Sequence, residues 1–597
     1  MNFNSHTFSI PVMGLGYTID TPVKVGHLGI SSVISLVDDI LIEKMREFYS
    51  KKFDIPYQNI SSKVEDSRAK RITAYLNMVD KLVHDKYEEM INNFHKKESE
   101  LEKYFDLLPN STQIREKFNH LVENTKNTNL KEVKNWLRSN LAPGKIDVNI
   151  MTKLDKANVS TEGEQLPAEY NDAHAALRGF ANSNLCSSLV LSAGMNPRLY
   201  SYLENFSDFY PDAGGKLRKK IILKVSDFRS AMVQGRFLAK KGIWVSEFRI
   251  ESGLNCGGHA FATHGHLLGP ILNEFKEKRQ ELLDATFKVL QSGLKDKGLP
   301  ELQQAPDMKI TAQGGVGTNE EHQLLLDEYQ LDSVGWGSPF MLVPEACHID
   351  SESLELLRAA DEQDLYLSKA SPLGVHFNNV RGASQQKAIQ NYLKDGKPGF
   401  PCTKRYLVFN TEFTDKPICT ASKRYLRKKF NEIELSAHSE EEKQTLKDKL
   451  TEKECLCEGL TNSTYLANGL DTDSKRTGVS ICPGPNIAYF KQLVSLKEMV
   501  DHIYGKINLL KGVKRPNLFI KELGMYVDYL ENNLKEAQAE EDKKQVNYFK
   551  KFRENLQEGI QYYHQFFKDY ENKLHEMKEN VFSELEHYNA RLENIKF

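Results

Sequence analysis

The sequence predicts a (β/α)8 barrel, or TIM barrel, with a helical insertion after strand 2 and a Cys-rich plus α-helical C-terminal region. Three observations predict this α/β fold. Eight short apolar segments in the first 336 residues are typical of strands, most are followed by a helical pattern or a glycine turn, and the last two end in glycine-rich loops a short helix apart.

The predicted strands share a short apolar core bounded by glycine, proline or a helix-capping residue. They are residues 9–13, 32–37, 145–151, 185–192, 219–225, 244–250, 309–312 and 333–336. Asp20-Thr21-Pro22 starts the first helix, with proline at a position that helices accept. Strands that alternate with helices indicate parallel pairing, and eight of them are enough to close a barrel.

Residues 38–141 interrupt this alternation, because they are charged, have helical periodicity and contain no strand candidate. We interpret them as a helical insertion that packs beside a barrel spanning residues 1–385. A Cys-rich segment, 386–490, and an α-helical region, 491–597, follow. The helical spacing of apolar residues in the last region predicts a hairpin that covers its own core, and the alternative is a binding stripe of Tyr and Phe.

Composition excludes several classes of protein. The chain has 597 residues, which is too long for one ordinary core. Its 80 Lys and Arg nearly balance its 82 Asp and Glu, so charge gives no reason to expect a nucleic-acid partner. No run approaches the roughly 18 apolar residues of a membrane span, and the N-terminus does not resemble a signal peptide. We expect a cytoplasmic protein with no membrane partner.

The stretch from Lys309 to Glu345 places two glycine-rich strand ends on either side of a short helix. Glycine lets the backbone approach a ligand closely, and successive N–H groups bind an anion. In a barrel these are the loops after strands 7 and 8, the usual phosphate site. The two loops read Gln313-Gly314-Gly315-Val316-Gly317 and Gly335-Trp336-Gly337-Ser338-Pro339. Ordinary glycine turns in an unrelated α/β domain are the alternative interpretation.

These loops resemble the flavin phosphate loops of the nitronate monooxygenases (2-nitropropane dioxygenases) and of the related flavin-dependent enoyl reductases of fatty-acid synthesis. In those families a GG loop precedes a strand that runs into a G-T/S-x-F-L-x-x-P-E motif, which here is GSPFMLVPE, residues 337–345. The glycine turn after strand 1, residues 13–16, resembles the turn that lies against the flavin ring in nitronate monooxygenases. The resemblance covers most of residues 1–385 outside the insertion.

The resemblance implies FMN as the cofactor. FAD is not expected, because the sequence has no G-x-G-x-x-G dinucleotide fingerprint with a following acidic residue. The implied cofactor contacts are Met13, Gly14, Leu15, Gly16, Asn149, Lys224, Gly257, Gly258, Gln313, Gly314, Gly315, Gly317, Gly335, Trp336, Gly337 and Ser338.

The loop after strand 6, ESGLNCGGHA, resembles the G-x-E-A-G-G-H loop of nitronate monooxygenases, in which the histidine is the catalytic base beside the flavin. The resemblance implies that role for His259, whose ordinary pKa of about 6.5 suits proton transfer near neutral pH. A structural histidine is the alternative. Asn255 and Cys256 replace the usual Glu and Ala, which leaves the substrate open. Cys256 is either a packing residue or a second catalytic residue that donates a proton.

The Cys-rich segment contains five cysteines within a stretch of about eighty residues. They are Cys402, Cys419, Cys455, Cys457 and Cys482. In a reducing compartment such a group more often binds metal than forms disulfides. The Cys-Pro step at residues 482–483 is common among iron–sulfur ligands, so we predict a [4Fe–4S] cluster. Zinc and free thiols are the alternatives, because the spacing of the cysteines fits no standard motif. The paired C-x2-C knuckles that structural zinc prefers are missing, which counts against zinc.

The sequence therefore predicts an FMN-dependent oxidoreductase of the nitronate monooxygenase or enoyl reductase type, acting on a small organic or acyl substrate with His259 as acid or base. A nicotinamide, oxygen or an electron-transfer partner exchanges electrons with the flavin. The alternative from another class is a redox-sensing or scaffold protein without turnover, in which no flavin accompanies the protein.

Overall fold

The computed structural model describes residues 6–96, 99–109, 111–124, 130–160, 162–192, 194–260, 264–537, 543–570 and 580–597. Parts of the predicted insertion and helical tail lie outside these residues. Eight parallel strands form one sheet in the order β1-β8-β7-β6-β5-β4-β3-β2. They are β1 (Phe8–Ser9), β2 (Ser32–Ser35), β3 (Ile146–Met151), β4 (Ser188–Ser192), β5 (Lys220–Val225), β6 (Val245–Glu251), β7 (Lys309–Gln313) and β8 (Ser333–Gly335).

The two ends of this sheet meet and close a barrel. Ile10, directly after β1, bridges Ser32 of β2 in parallel register, and its N–H donates to the Ser31 carbonyl at 2.9 Å. On its other side β1 pairs with β8, with Phe8 opposite Val334. All eight predicted strands are present in the predicted order, so the predicted TIM barrel is confirmed. The strand β1 is shorter than predicted.

Helices surround the barrel and form the insertion and the C-terminal region. They are α1 (Thr21–Val25), α2 (Asp39–Lys52), α3 (Ser67–Asn92), α4 (Glu100–Leu107), α5 (Ser111–Asn124), α6 (Leu130–Asn140), α7 (Asp172–Ala181), α8 (Pro197–Tyr202), α9 (Phe228–Ala239), α10 (Leu268–Glu277), α11 (Arg279–Asp296), α12 (Asn319–Asp327), α13 (Ser351–Ala359), α14 (Ser384–Lys394), α15 (Lys423–Glu434), α16 (Glu440–Thr451), α17 (Leu456–Ala467), α18 (Leu496–Ile503), α19 (Leu518–Ala537), α20 (Lys543–Asp569) and α21 (Val581–Glu593). None of these helices is both long and apolar enough to cross a membrane.

The predicted helical insertion is formed by α2 to α6. Asp38 begins it by accepting the N–H groups of Ile40 and Leu41, which stabilises the first turn of α2. Helix α3 packs against α2 and against the barrel helix α7. At the other end of the chain α19, α20 and α21 pack on one another, and α20 also contacts α10. The tail helices therefore pack on one another, and they share one hydrophobic core with the barrel, whereas the sequence predicted a hairpin with its own core.

An antiparallel hairpin outside the barrel lies against the loop after β6. Its strands are β9 (Leu365–Ser368) and β10 (Phe377–Val380). The N–H of Asn378 donates to the Gly258 carbonyl at 2.8 Å, and the N–H of Ala260 donates to the His376 carbonyl at 2.9 Å. These bonds give the β6 loop a fixed backbone position at the mouth of the barrel.

A buried ion pair joins the C-terminal region to the first turn of α12. Glu321 is 1% exposed and accepts Arg515 Nη1 at 2.6 Å. The same carboxylate accepts the N–H groups of Gly317 and Leu518, each at 2.7 Å. One glutamate thus holds together the loop after β7 and the start of α19.

We expect Arg515→Met to lower the free energy of unfolding by about 3–5 kcal/mol, because it leaves the Glu321 charge buried without its partner. Urea unfolding of both proteins measures the difference. Arg358→Met is the control, because its ion pair with Glu355 is exposed, and it should cost less than about 1 kcal/mol. Equal losses in the two variants would contradict a stabilising role for the buried pair.

Candidate functional site

A cavity of about 460 Å³ lies at the carboxyl ends of the barrel strands. This is the face on which TIM barrels build active sites, and the volume falls within the roughly 300–1,000 Å³ of small-molecule sites. The barrel contributes polar residues, including Asn149, Lys224 and Glu251. The C-terminal region contributes a more apolar wall, formed by Tyr406, Leu407, Leu456, Cys457, Leu460 and Cys482.

The polar wall combines an ion pair with an unpaired amide oxygen. Lys224 Nζ lies 2.8 Å from Glu251 Oε2, and Gln313 Nε2 donates to Glu251 Oε1 at 2.8 Å. Asn149 is 6% exposed, and its side-chain oxygen has no hydrogen-bond partner among the described residues. Because buried polar atoms are nearly always paired, this oxygen is suited to a ligand that donates a hydrogen bond.

His259 lines the cavity from the β6 loop. Its Nε2 lies 2.7 Å from Ser371 Oγ, and its ring meets Phe377 edge to face at 5.2 Å. Burial lowers the pKa of His259 to about 4. The imidazole is therefore neutral at pH 7 and able to accept a proton.

Asn255 organises the same loop, and sequence reasoning did not assign it this role. Its Nδ2 donates to the His259 carbonyl at 2.8 Å. Its Oδ1 accepts the N–H of Gly257 at 3.0 Å and Nδ2 of Asn378 at 2.8 Å. The departure from the usual Glu at this position was the available signal, because an amide can donate and accept at once whereas a carboxylate only accepts.

Cys256 lies between the cavity and the loop after β8. It lines the cavity, and a Cβ added to Gly337 would lie 2.6 Å from its Sγ. Burial raises the pKa of Cys256 to about 12. At neutral pH it is a protonated thiol in close contact with glycine backbone, which supports the packing interpretation, and its role as a proton donor stays a prediction.

The glycine loops after β7 and β8 lie next to each other beneath the β6 loop. The backbone N–H groups of Gly314, Gly315, Gly337 and Ser338 have no hydrogen-bond partner within the part of the chain that the structure describes. All four residues are buried. Unpaired buried amides are rare in folded proteins, so four of them on adjacent loops form a cradle suited to an anion.

Other parts of the chain cover this cradle. Gly484 N–H donates to Ser338 Oγ at 2.7 Å, and a Cβ on Gly315 would lie 2.6 Å from Leu254 Cδ1 and 2.7 Å from Leu518 Cδ1. Of the predicted cofactor contacts, those that line the cavity are Gly14, Leu15, Asn149, Lys224, Gly257 and Gly258. Those that do not line it are Met13, Gly16, Gln313, Gly314, Gly315, Gly317, Gly335, Trp336, Gly337 and Ser338.

Two of these residues are engaged elsewhere. The N–H of Gly317 donates to Glu321, so it is not available to a phosphate group. Trp336 is fully buried, its Nε1 donates to His322 Nδ1 at 3.1 Å, and its ring lies against His502. The side chain of Trp336 thus packs against the surrounding layer, because an indole needs a partner for its N–H when it is buried.

The contact between Trp336 and His322 predicts acid sensitivity. Because His322 Nδ1 accepts a hydrogen bond, the ring hydrogen lies on Nε2 and is donated to Thr7 Oγ1 at 3.0 Å. Burial lowers the pKa of His322 to about 4. A proton on Nδ1 would face the indole N–H, so the folded state favours the neutral ring.

The free energy of unfolding should therefore fall as the pH is lowered from about 6.5 to about 4, by up to about 3 kcal/mol from this residue. The stabilisation is fully present above the unfolded-state pKa and is lost below it. Urea unfolding at pH 7 and pH 5 measures the change, and His322→Gln, which keeps a donor and an acceptor, should show a smaller one. An equal loss of unfolding free energy in both proteins would contradict the assignment of this acid sensitivity to His322.

The structure does not support the predicted [4Fe–4S] or zinc site. No group of three or more His, Cys, Asp or Glu side chains that could hold a metal ion occurs among the described residues. Cys482 packs under Gly257, and Cys455 and Cys457 lie at the start of α17. Residues two apart on a helix do not face each other, so the C-x-C pair does not converge. Cys402 packs against Cys419 in a separate cluster.

The strand order and the cavity define a TIM-barrel protein whose barrel mouth is lined in part by its C-terminal region. Among solved structures it is similar to FabK from Thermotoga maritima, with a TM-score of 0.36, 11% identity and coverage of 85% of this chain and 93% of that chain. It is also similar to the enoyl reductase domain of MlnA from Bacillus amyloliquefaciens, with a TM-score of 0.42, 11% identity and coverage of 85% of this chain and 96% of that chain. For nitroalkane oxidase from Streptomyces ansochromogenes the TM-score is 0.35 and the identity 8%, with coverage of 85% of this chain and 96% of that chain. No family model and no curated protein matches the sequence.

Proposed function

We propose that this protein is an FMN-dependent oxidoreductase of the enoyl reductase or nitronate monooxygenase type, with its active site at the mouth of the barrel. One observation carries the proposal, namely the four unpaired buried amides of Gly314, Gly315, Gly337 and Ser338. Backbone amides on adjacent glycine loops at this end of a barrel bind phosphate groups. A phosphate is therefore the ligand that these amides fit best.

The neighbouring cavity fits the remainder of FMN in size and in donor chemistry. Its volume of about 460 Å³ suits a flat heterocycle. Lys224 offers a charged donor and Asn149 an unpaired acceptor to the polar edge of such a ring. Cys256 touches both the cavity and Gly337, so cavity and cradle are close enough to serve one ligand.

Bound FMN would supply the electron transfer. The residues of this chain would bind and orient the cofactor and the substrate and would transfer a proton. The four amides would hold the phosphate, while Lys224 and Asn149 would fix the ring. His259, neutral at pH 7, would take or return a proton, with its ring orientation set by the bond between Nε2 and Ser371 Oγ.

The wall contributed by the C-terminal region bears on the substrate. Leu407, Leu456 and Leu460 face the cavity opposite the polar strand ends. Burial of apolar surface favours a substrate with an aliphatic portion, by about 25 cal/mol per Å². This supports an acyl substrate over a small nitronate. We propose a nicotinamide as the electron donor, which the resemblance to enoyl reductases implies.

The proposal is tested by incubating the purified protein with excess FMN, removing unbound flavin by gel filtration and recording the absorption spectrum. We expect an oxidised-flavin spectrum in the protein fraction, bleaching by NADH or NADPH without oxygen, and recovery on addition of an enoyl thioester. Recovery with an alkyl nitronate or oxygen alone would favour the monooxygenase type. A protein fraction that carries no flavin would contradict the proposal and favour the scaffold alternative.

A further inference from the structure

Two cysteine side chains meet in the segment that precedes α15. A parallel bridge between Phe400 and Ser422, with the Lys423 N–H donating to the Phe400 carbonyl at 2.8 Å, brings the two ends of this segment together. Cys402 and Cys419 thereby pack side by side. The apolar cluster that they form with two neighbours consists of Cys402, Val408, Cys419 and Ala421.

The two thiols differ in exposure and in ionisation. Cys402 is partly exposed, whereas Cys419 is 6% exposed. The Cys419 thiol donates a hydrogen bond to the Cys402 sulfur, which lowers the pKa of Cys402 and raises the pKa of Cys419. The backbone N–H of Arg405 also donates to Cys402. Cys402 is the sulfur of the pair that a peroxide can reach, because it is partly exposed whereas Cys419 is buried.

We propose that Cys402 and Cys419 form a redox-active dithiol that a peroxide oxidises to a disulfide. The Cys402 thiolate attacks one oxygen of hydrogen peroxide, the O–O bond breaks, and the departing hydroxide takes a proton and leaves as water. Cys402 is then a sulfenic acid. Cys419 loses its proton and attacks the Cys402 sulfur, the S–O bond breaks, the S–S bond forms and a second water leaves. The two sulfurs lose the two electrons that the peroxide gains.

The other cysteines near this pair are poorer candidates. Cys455 is the N-cap of α17 and Cys457 lies in its first turn. Burial raises the pKa of Cys455 to about 12 and also raises the pKa of Cys457. Both remain protonated at neutral pH. Cys186 is exposed but lies on the barrel, far along the chain from the pair.

Oxidation at this site would act on the cavity wall. The loop between the two cysteines carries Tyr406 and Leu407, both of which line the cavity. It also carries Lys404, which is buried and paired with Asp473 at 2.9 Å. A disulfide would tie together the two ends of this loop and restrict its motion. The oxidation of these two thiols does not depend on whether the cavity holds a flavin.

The test uses the full-length protein, reduced, freed of reductant and treated with one equivalent of hydrogen peroxide. After acid quenching, alkylation in denaturant and digestion, mass spectrometry locates the oxidised residues. We expect the protein to lose two of its eight free thiols, with Cys402 and Cys419 recovered as one linked peptide. Recovery of both residues in alkylated form, or linkage of either to Cys455 or Cys457, would overturn the proposal.

Serine variants distinguish the role of Cys402, which reacts with peroxide, from the role of Cys419, which then forms the disulfide. Cys419→Ser should retain a sulfenic acid at Cys402 that a dimedone-type reagent labels, because the second thiol is missing. Cys402→Ser should give neither the label nor the disulfide at Cys419. Cys186→Ser is the matched control and should form the linked peptide as the unmodified protein does. Circular dichroism establishes that each variant is folded, and absence of label in a folded Cys419→Ser protein would also overturn the proposal.

Discussion

The His259→Ala variant is expected to lose about 10²- to 10⁴-fold in turnover while it still binds FMN, because this is the usual contribution of a general acid or base. The imidazole lines the cavity, is held by Ser371 and is kept neutral by burial. The partners described for the imidazole, Ser371 and Phe377, are not residues of the cradle. Loss of the ring should therefore remove the proton acceptor and leave the phosphate contacts intact.

Steady-state turnover, paired with a flavin titration of the same protein, measures this effect. His264→Ala is the control, because His264 also lines the cavity, and it should retain turnover within about tenfold of the unmodified protein. Since burial lowers the pKa of His259 to about 4, acidification from pH 8 to pH 5 should not remove its proton-accepting form. Full turnover by His259→Ala, or loss of its flavin, would assign His259 a different role.

The Ser338→Asp variant is expected to bind FMN up to about 10³-fold more weakly. A carboxylate beside the proposed phosphate site places like charges close together, and at a separation near 4 Å and an effective dielectric constant of about 20 the repulsion is about 4 kcal/mol. Ser338→Asn is the matched control, because asparagine has nearly the same size as aspartate but carries no charge. Its affinity for FMN should stay within a few-fold of that of the unmodified protein.

Riboflavin distinguishes repulsion of phosphate from damage to the site. It has the same ring and no phosphate, so Ser338→Asp should bind it as the unmodified protein does. Gly315→Asp is a poorer test of the same idea, since any side chain there would collide with Leu254 and Leu518. Equal weakening of FMN and riboflavin by Ser338→Asp would contradict the placement of the phosphate.

The barrel was predictable because its strands carry a local signal. Buried parallel strands are continuous apolar runs, and residues 188–192 and 220–225 have this character between polar or glycine-containing segments. The glycine loops after β7 and β8 were predictable because their glycines directly follow two of the predicted strands. That the loops lie side by side follows from the parallel order of the strands.

The cover over the cradle was not predictable from local pattern. Ser338 is bonded to Gly484, 146 residues away, and Glu522 of α19 accepts the Gly253 N–H across 269 residues. Helical periodicity tells which face of α19 is apolar but not which loop it covers. The described residues do not support the predicted metal site for a similar reason. The five cysteines are close in sequence, but the fold places Cys482 under the β6 loop.

The measurement that tests the central claim most directly is an equilibrium titration of the purified protein with FMN and, separately, with riboflavin, followed by flavin fluorescence. Hydrogen bonds to a charged group are worth about 1.5–3 kcal/mol each, so amides that hold the phosphate should make FMN bind at least about 100-fold more tightly than riboflavin. The preference should largely disappear in Ser338→Asp. Equal affinities for the two flavins, or no binding of either, would contradict a phosphate site formed by Gly314, Gly315, Gly337 and Ser338.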